Sequence, residues 1–217
     1  MRFSVIIPAY QAVEHIRKAI ESITSQTFKD FELIVVCDRC TDGTHELVNL
    51  LAPNAIIKEV DFGRDGLTRN AGLDIAQGEY ILFLDDDDFF LHEFVFEQID
   101  RKLKETNDPE LLCFSFIWKG VMYSKPLNKH GEPYVAVWCK AWRRDYIGDT
   151  RFPDVYSVSD SYFHADMMKK PHRTELFDNP MVYYNYLRKG SISANMHRTY
   201  EGTRQVFRRQ QDDKRRS

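Results

Sequence analysis

Four consecutive carboxylates, Asp85 to Asp88, are the residues of this sequence best suited to metal chemistry. They directly follow an apolar run over residues 80–84. Adjacent carboxylates repel one another, so they must face water, hold protons more tightly or meet a cation. Mg²⁺ and Mn²⁺ prefer oxygen ligands and bridge to the phosphates of a substrate. The four acids therefore predict a divalent-metal site. The alternative is that Asp87 or Asp88 caps a helix that follows.

The apolar run before the acids is typical of a strand buried on both faces of a parallel sheet. Its carboxyl end is the place where open α/β sheets collect their ligands. The pattern predicts three earlier strands, with helices between them: strands at 4–7, 31–36 and 55–60, and helices over 12–24, around 45–51 and over 68–76. Strands that alternate with helices form βαβ units. We therefore predict an α/β fold with a Rossmann-like, mostly parallel sheet and covering helices.

The chain changes character after the acids. The pattern predicts a helix over 91–105, a strand over 111–118 and a hairpin partner at 121–123, followed by a stretch rich in aromatic residues. No glycine-rich dinucleotide fingerprint follows the first strand, and no P-loop occurs. A nucleotide, if one binds, must be held in another way.

Composition limits the classes of protein that this chain can belong to. Its 217 residues allow one substantial domain, and 43% hydrophobic with 29% charged residues is ordinary for a soluble globular protein. The net charge of −3 gives no broad basic surface, so nucleic acid is not expected as a partner. No apolar run approaches the ~20 residues of a membrane span, and no signal peptide is evident. We expect a cytoplasmic protein.

The four cysteines offer a second, weaker lead. Cys37 and Cys40 form a C-x-x-C, a spacing found in redox pairs and in halves of zinc sites. A closed zinc site needs four ligands, and no second Cys or His pair stands at suitable spacing. Reduced thiols in a cytosolic core are the expectation.

Several stretches, taken in order, resemble family 2 of the inverting nucleotide-sugar glycosyltransferases, whose catalytic domain has the glycosyltransferase A fold. The acids resemble the D-x-D motif of that family, and the other stretches are residues 5–10, 22–28, 35–44, 66–72 with 78–80, 138–144 and 183–193. The resemblance implies one glycosyltransferase domain over residues 1–217. Within it we expect a nucleotide-sugar-binding half (1–90), a smaller mixed acceptor-side half (91–197) and a basic tail (198–217).

The resemblance implies roles on the nucleoside side of a donor pocket. Pro8 and Tyr10 would line the base and ribose, and Asp38 would accept a hydrogen bond from a uracil ring. Cys37 stands where many members of the family have a second Asp, which leaves the nucleotide preference open.

The diphosphate and the metal form the next expected group of contacts. Arg69 and Arg188 would contact the diphosphate, since guanidinium groups bind phosphates through paired hydrogen bonds. The alternative for Arg69 is a surface helix arginine beside a carboxylate. Asp87 would bind Mn²⁺ or Mg²⁺, and Asp85 would face the ribose or metal-bound water. Asp86 is a spare carboxylate that we place with the donor-binding residues.

Inversion needs a base that takes the proton of the acceptor hydroxyl. By resemblance this is Asp160, although Ser159 stands where the family commonly has Glu. Asp154 competes for the role, and Asp160 as a helix N-cap is the structural alternative. By the same resemblance, Trp138 would line the binding site on the acceptor or sugar side.

These expectations define a function and its alternatives. The chain is expected to move a sugar from a nucleoside-diphosphate sugar, with UDP as the expected nucleotide, to a glycan or lipid-linked acceptor. A non-catalytic nucleotide-sugar or carbohydrate-binding domain is the first alternative, and a nucleotidyltransferase is the second. The basic tail leaves open a peripheral contact with the inner face of a membrane.

Overall fold

The computed structural model describes residues 1–119 and 122–185 of the chain. Its first half alternates strands and helices as the sequence pattern predicts. The strands are β1 (Phe3–Ala9), β2 (Phe31–Asp38), β3 (Ile56–Val60) and β4 (Tyr80–Phe83), and the helices between them are α1 (Ile16–Thr24), α2 (Thr44–Leu51) and α3 (Asp65–Leu73). These four strands pair in parallel, in the order β3-β2-β1-β4. The carboxyl ends of β1, β2 and β4 therefore meet at one edge.

The second half extends the same sheet and mixes strand directions. The first half ends with the short strand β5 (Phe89–Phe90). The elements of the second half are α4 (Val95–Glu105), β6 (Leu111–Trp118), β7 (Met122–Ser124), β8 (Lys140–Arg143), α5 (Arg144–Ile147), α6 (Ser159–Met168) and β9 (Thr174–Tyr184). Strand β8 pairs antiparallel with β4 and joins the two halves. Over the described residues the sheet runs β3-β2-β1-β4-β8-β6-β9-β5, with β7 on β6. The α/β prediction is confirmed; "mostly parallel" holds for the first half, whereas the whole sheet is mixed.

The sheet is buried on both faces because alternate side chains of β1 belong to two different apolar clusters. Val5 and Ile7 pack with α1 and α4 on one face, and Ile6 packs on the other face, where α3 and α6 lie. This is the period of two that strand geometry imposes. Gly72 of α3 allows a close approach to that second face, since a Cβ there would lie 2.5 Å from Cγ2 of Ile6.

Helix α4 begins later than expected, at Val95, with Phe94 as its N-cap and no side-chain cap. The alternative that Asp87 or Asp88 caps this helix is therefore wrong. The physical reason lies in a contact with a distant strand end: Oδ1 of Asp88 accepts a hydrogen bond from the amide of Asn185 at 2.8 Å. Within the described residues, no helix is both long and apolar enough to cross a bilayer.

Candidate active site

A cleft of about 840 Å³ opens at the carboxyl ends of β1, β2 and β4 and continues along the strands and loops of the second half. Nine of the predicted site residues line it: Pro8, Tyr10, Asp38, Arg69, Asp85, Asp86, Asp87, Trp138 and Asp160. Arg188 lies outside the described residues. The fold thus brings together side chains that lie up to about 150 residues apart in the sequence.

Asp38 ends β2 and uses its whole carboxylate on the protein. Oδ1 accepts from the amides of Phe62 and Gly63 at 2.9 and 3.0 Å. Oδ2 accepts from the Arg64 amide at 3.2 Å and from Oγ1 of Thr68 at 2.9 Å. Four donors match the four lone-pair sites of a carboxylate. Asp38 therefore fixes the turn that leads into α3, and its contact with a nucleobase stays a prediction.

Asp86 anchors the loop that follows β1. Its Oδ2 accepts from the amide of Tyr10 at 3.3 Å, and its Oδ1 lies 3.1 Å from Nε2 of His15. Tyr10 is 59% exposed and lines the cleft. Asp86 acts on the shape of the pocket through this loop, and its place among the donor-binding residues stays a prediction.

Arg69 connects three carboxylates at the floor of the cleft. Its Nη1 donates to Oδ2 of Asp65 at 2.7 Å, and its Nη2 donates to Oδ1 of Asp85 at 2.6 Å. A third carboxylate oxygen, Oδ1 of Asp160, lies 3.5 Å from Nη1. Burial by itself lowers the pKa of Arg69, but these three acids more than offset it and hold the pKa above its ordinary value. With 5% of its surface exposed, Arg69 is not the surface arginine of the alternative interpretation.

The acids after β4 lie close together, and burial and mutual repulsion both act on their pKa values. Burial raises the pKa of Asp85, and Asp87 adds to the rise, while Arg69 opposes it. Burial also raises the pKa of Asp88, whose Oδ2 is buried without a hydrogen-bond partner among the described residues. Carboxylate oxygens under such repulsion suit a divalent cation.

The donor set fits a cation that a substrate helps to hold. No group of three or more His, Cys, Asp or Glu side chains in the described parts of the chain forms a ready metal cage. Mg²⁺ is usually bound by one or two carboxylates together with substrate phosphates. Asp87, which lines the cleft beside Asp85, is the residue that the prediction assigns to such an ion.

Asp160 lies in the first turn of α6, facing the cleft. Its Oδ2 accepts from the amide of Val137 at 3.2 Å. Burial raises the pKa of Asp160 to about 6, helped by Asp85 and opposed by Arg69. The N-cap of α6 is Val158, without a side-chain cap, so the N-cap alternative for Asp160 is wrong.

Asp154 differs from Asp160 in both burial and position. Its side chain is 68% exposed, pairs with Nε of Arg64 at 3.4 Å, and is not part of the cleft lining. Of the two candidates, Asp160 is the one that the cleft contains. Its role as a base stays a prediction.

The backbone is strained next to Asp160. Val158 has a φ of 57°, in the left-handed region. A β-branched residue is rarely found there, and such outliers concentrate at functional sites. This feature is invisible in the sequence, because nothing about a valine indicates a left-handed backbone.

An aromatic wall closes the second-half side of the cleft. Trp138 stacks on Tyr184 with ring centroids 4.7 Å apart, and its ring edge meets Phe116 at 4.8 Å. Tyr134 makes a T-shaped ring contact with the same Phe116, with centroids 5.2 Å apart. Trp138 is 6% exposed, so it offers part of a ring rather than an open face. The cleft is therefore charged on the β1–β4 side and aromatic on the β6–β9 side.

Sequence reasoning missed Asp65, which accepts from Arg69 and from Oγ of Ser159, both at 2.7 Å. The helix predicted over 68–76 leaves Asp65 out. In the structure α3 begins at Asp65, four residues before Arg69, a spacing at which side chains on a helix face each other. No local signal indicates the contact with Ser159, which lies 94 residues away.

Comparison with known proteins identifies the family of this chain. The model of the family "Glycosyl transferase family 2" matches residues 4–172, and the chain belongs to that family. It is a glycosyltransferase with the predicted fold.

Curated relatives cover most of the chain. It is 32% identical over 205 residues to the UDP-Glc:alpha-D-GlcNAc-diphosphoundecaprenol beta-1,3-glucosyltransferase WfaP of Escherichia coli, with 88% of this chain and 80% of WfaP covered. It is 36% identical over 227 residues to the poly(ribitol-phosphate) beta-N-acetylglucosaminyltransferase TarS of Staphylococcus aureus, with 96% of this chain but only 39% of TarS covered.

Solved structures show the same fold. The crystal structure of S. aureus TarS 1–349 in complex with UDP has a TM-score of 0.77 at 24% identity, over 85% of this chain and 60% of that one. The mannosyltransferase PcManGT of Pyrobaculum calidifontis, in complex with GDP-Man and Mn²⁺, has a TM-score of 0.69 at 20% identity, over 93% and 61% of the two chains.

Proposed function

We propose that this enzyme transfers a sugar, with inversion, from a nucleoside-diphosphate sugar to a hydroxyl group of a glycan or lipid-linked acceptor. UDP is the proposed nucleotide, because the name of WfaP specifies a UDP-sugar and TarS has been solved with UDP. The observation that carries the proposal is the cleft itself. It holds the acids after β4 and Asp160 on either side of one buried arginine, Arg69.

The donor is proposed to lie on the charged side of the cleft. Pro8 and Tyr10 would line its base and ribose, and the turn fixed by Asp38 would bound the same side. Arg69 would reach the diphosphate, with Arg188 as a further contact. A direct hydrogen bond from a uracil ring to Asp38 requires one of its four protein donors to give way.

Asp87 is the proposed ligand of Mn²⁺ or Mg²⁺, with Asp85 towards the ribose or the ion's water. When bound, such an ion neutralises charge on the departing nucleoside diphosphate. The Mn²⁺ in the PcManGT complex supports this choice of cofactor.

Asp160 is the proposed base. The acceptor oxygen forms a bond to the anomeric carbon as the bond from that carbon to the diphosphate oxygen breaks on the opposite face. The acceptor's proton passes to a carboxylate oxygen of Asp160. A pKa of about 6 keeps Asp160 ionised at neutral pH, yet basic enough to take the proton.

The acceptor is proposed to approach along the aromatic wall, with Trp138 as part of its binding surface. Sugar rings and apolar chains both pack on aromatic side chains. The name of WfaP specifies a diphosphoundecaprenol-linked substrate, which supports a lipid-linked acceptor. A cytoplasmic enzyme in peripheral contact with the inner membrane face would meet such an acceptor.

The proposal is tested by thermal shift with UDP, GDP, CDP, dTDP and ATP, each with and without Mn²⁺. A ligand that binds only the folded state raises Tm by mass action. We expect the largest rise with UDP plus Mn²⁺. Asp87→Ala should abolish the part of the UDP shift that depends on Mn²⁺, because it removes the main protein ligand of the ion.

Asp74→Ala is the matched control, since Asp74 is a half-exposed acid that does not line the cleft. It should keep the wild-type response to UDP and Mn²⁺. A Tm rise in Asp87→Ala that still depends on Mn²⁺ would contradict the metal assignment. No rise in the wild-type protein with any of the five nucleotides would contradict the donor class.

A further inference from the structure

We propose that Asp65 is a positioning residue for Asp160, and this inference rests on the proposed role of Asp160 as the base. Asp65 lies in the first turn of α3, and Asp160 lies in the first turn of α6. Asp65 makes no direct contact with the Asp160 carboxylate. We expect Asp65 to influence Asp160 through two residues that it binds, Arg69 and Ser159.

One oxygen of Asp65 joins the two helices. Oδ2 accepts from Nη1 of Arg69 and from Oγ of Ser159, both at 2.7 Å. Its other oxygen, Oδ1, is buried and accepts no hydrogen bond within the described residues. Leaving a buried acceptor unpaired costs stability, and such groups are retained where they serve another purpose. Ser159 is itself only 1% exposed, so the hydrogen bond between its hydroxyl and Asp65 lies in a largely buried setting.

The hydrogen bond between Asp65 and Arg69 determines how closely Arg69 approaches Asp160. Nη1 lies 2.7 Å from Asp65 but 3.5 Å from Oδ1 of Asp160. A charge-assisted hydrogen bond is normally 2.7–2.9 Å long, so Asp65 holds the strong partner position and Asp160 the weak one. A carboxylate bound tightly to a guanidinium binds protons poorly and is a weaker base. Asp65 thus keeps Arg69 from neutralising Asp160.

Charged and titratable groups face Asp160 from three other parts of the fold. They are Asp65 and Arg69 on α3, Asp85 after β4, and Cys139 just before β8. After burial, the acids among them raise the pKa of Asp160, while Arg69 and the Val137 amide lower it. Removing the charge of Asp65 should lower the pKa of Asp160 in two ways. It takes away a repelling carboxylate, and it releases Arg69 towards Asp160.

The test is the pH dependence of kcat in Asp65→Asn, measured with UDP-sugar donors and the acceptor identified for the wild-type enzyme. The acidic limb should move to lower pH by about half a unit to one unit, because Asp160 becomes the weaker base. The plateau of kcat should fall by roughly tenfold, within the range that general-base catalysis supplies.

Ser159→Ala is the second variant, and it should shift the limb in the opposite direction. Without the hydroxyl, Asp65 loses a donor and more of its negative charge faces Asp160. The acidic limb should therefore move to higher pH, by about half a unit. A merely structural role would not give shifts of opposite sign in two variants of one hydrogen bond.

Asp74→Asn is the matched control and should keep the wild-type limb, because Asp74 is a half-exposed acid that does not line the cleft. Wild-type limbs in both Asp65→Asn and Ser159→Ala would overturn the inference, provided that Asp160→Asn is inactive. If Asp65→Asn does not fold, the limb of Ser159→Ala decides alone. Substantial turnover by Asp160→Asn would instead overturn the proposed base.

Discussion

At the scale of single residues, the cleft contains carboxylates with opposite uses. Asp38 and Asp86 give their oxygens to backbone or side-chain donors and shape the loops. Asp160 accepts one amide at 3.2 Å and keeps the raised pKa of a group that burial leaves poorly stabilised when ionised. Acids of the first kind stabilise the fold, whereas an acid of the second kind is suited to proton transfer.

Asp160→Asn should abolish most turnover without loss of stability. We expect kcat to fall by about 10²–10⁴-fold with unchanged UDP binding, because the amide cannot take a proton. The pKa of Asp160 is about 6 in the fold against 3.8 for the ordinary group, so its ionisation opposes folding. This cost is absent below the ordinary pKa, grows as pH rises through the interval between the two values, and is complete above about pH 6.

The Asn variant lacks that cost and should melt at the wild-type temperature or a few degrees above it at neutral pH. A shift of about two units corresponds to at most ~3 kcal/mol. The measurements are UDP calorimetry, single-turnover rates and thermal melts at acidic and neutral pH. Asp154→Asn serves as the control. A clear drop of Tm in Asp160→Asn at neutral pH would show that ionised Asp160 stabilises the fold instead.

At the scale of secondary-structure elements, α3 serves two surfaces at once. One side of the helix packs on the sheet at Gly72, and its first turn packs on the loop and helix that carry Asp160. At Gly66 a Cβ would lie 3.0 Å from Cβ of Phe152 and 3.0 Å from Cβ of Ser159. Both glycines cost helix propensity, roughly 1 kcal/mol each relative to alanine. Close packing is the physical reason for keeping them.

Substitution of the two glycines should separate stability from activity. Gly72→Ala should lower the free energy of unfolding by about 1–3 kcal/mol, because Ile6 and the sheet must move to accept the methyl group. Gly66→Ala should have the larger effect on kcat and the smaller effect on the free energy of unfolding, because it displaces the first turn of α6. Urea unfolding and steady-state kinetics on the same preparations provide the comparison, and each variant is the control for the other. If the two variants lost the same free energy of unfolding and had the same kcat, the separate roles of Gly72 in stability and Gly66 in activity would be contradicted.

At the scale of the whole molecule, the two halves share a hydrophobic core. One apolar cluster runs from Phe3 and Val35 in the first half to Phe114 and Val182 in the second. Strand β8 continues the sheet from β4 to β6. The cleft that holds the candidate site is lined by both halves, so neither half contains all of its lining residues.

The whole domain should therefore unfold in one cooperative step. All three tryptophans, Trp118, Trp138 and Trp142, lie in the second half, so their fluorescence reports on that half alone. Far-UV circular dichroism reports on both halves. We expect the two signals to give the same urea midpoint, as a two-state transition requires. Separate midpoints would show that residues 1–90 and 91–197 are independent folding units, contrary to the single-domain prediction.

The sequence alone was sufficient for the first half of the fold and for most of the candidate site residues. Apolar runs and helical spacing are local signals, so β1 to β4 and the helices between them were predicted within a few residues. The site residues came from motifs that resemble a known family, and the carboxyl ends of parallel strands bring such motifs to one edge. The resemblance assigns roles to Asp87 and Asp160, and both roles stay predictions.

Only the tertiary structure decided which atoms these residues face. The four donors on Asp38, the Asn185 amide on Asp88 and the bond between Asp65 and Ser159 join positions 24 to 97 residues apart. The buried state of Arg69 and the raised pKa of Asp160 arise from the same distant contacts. A local pattern specifies which way a side chain points from its own element. The charge, burial and hydrogen bonds around it depend on elements that meet it only in the folded chain.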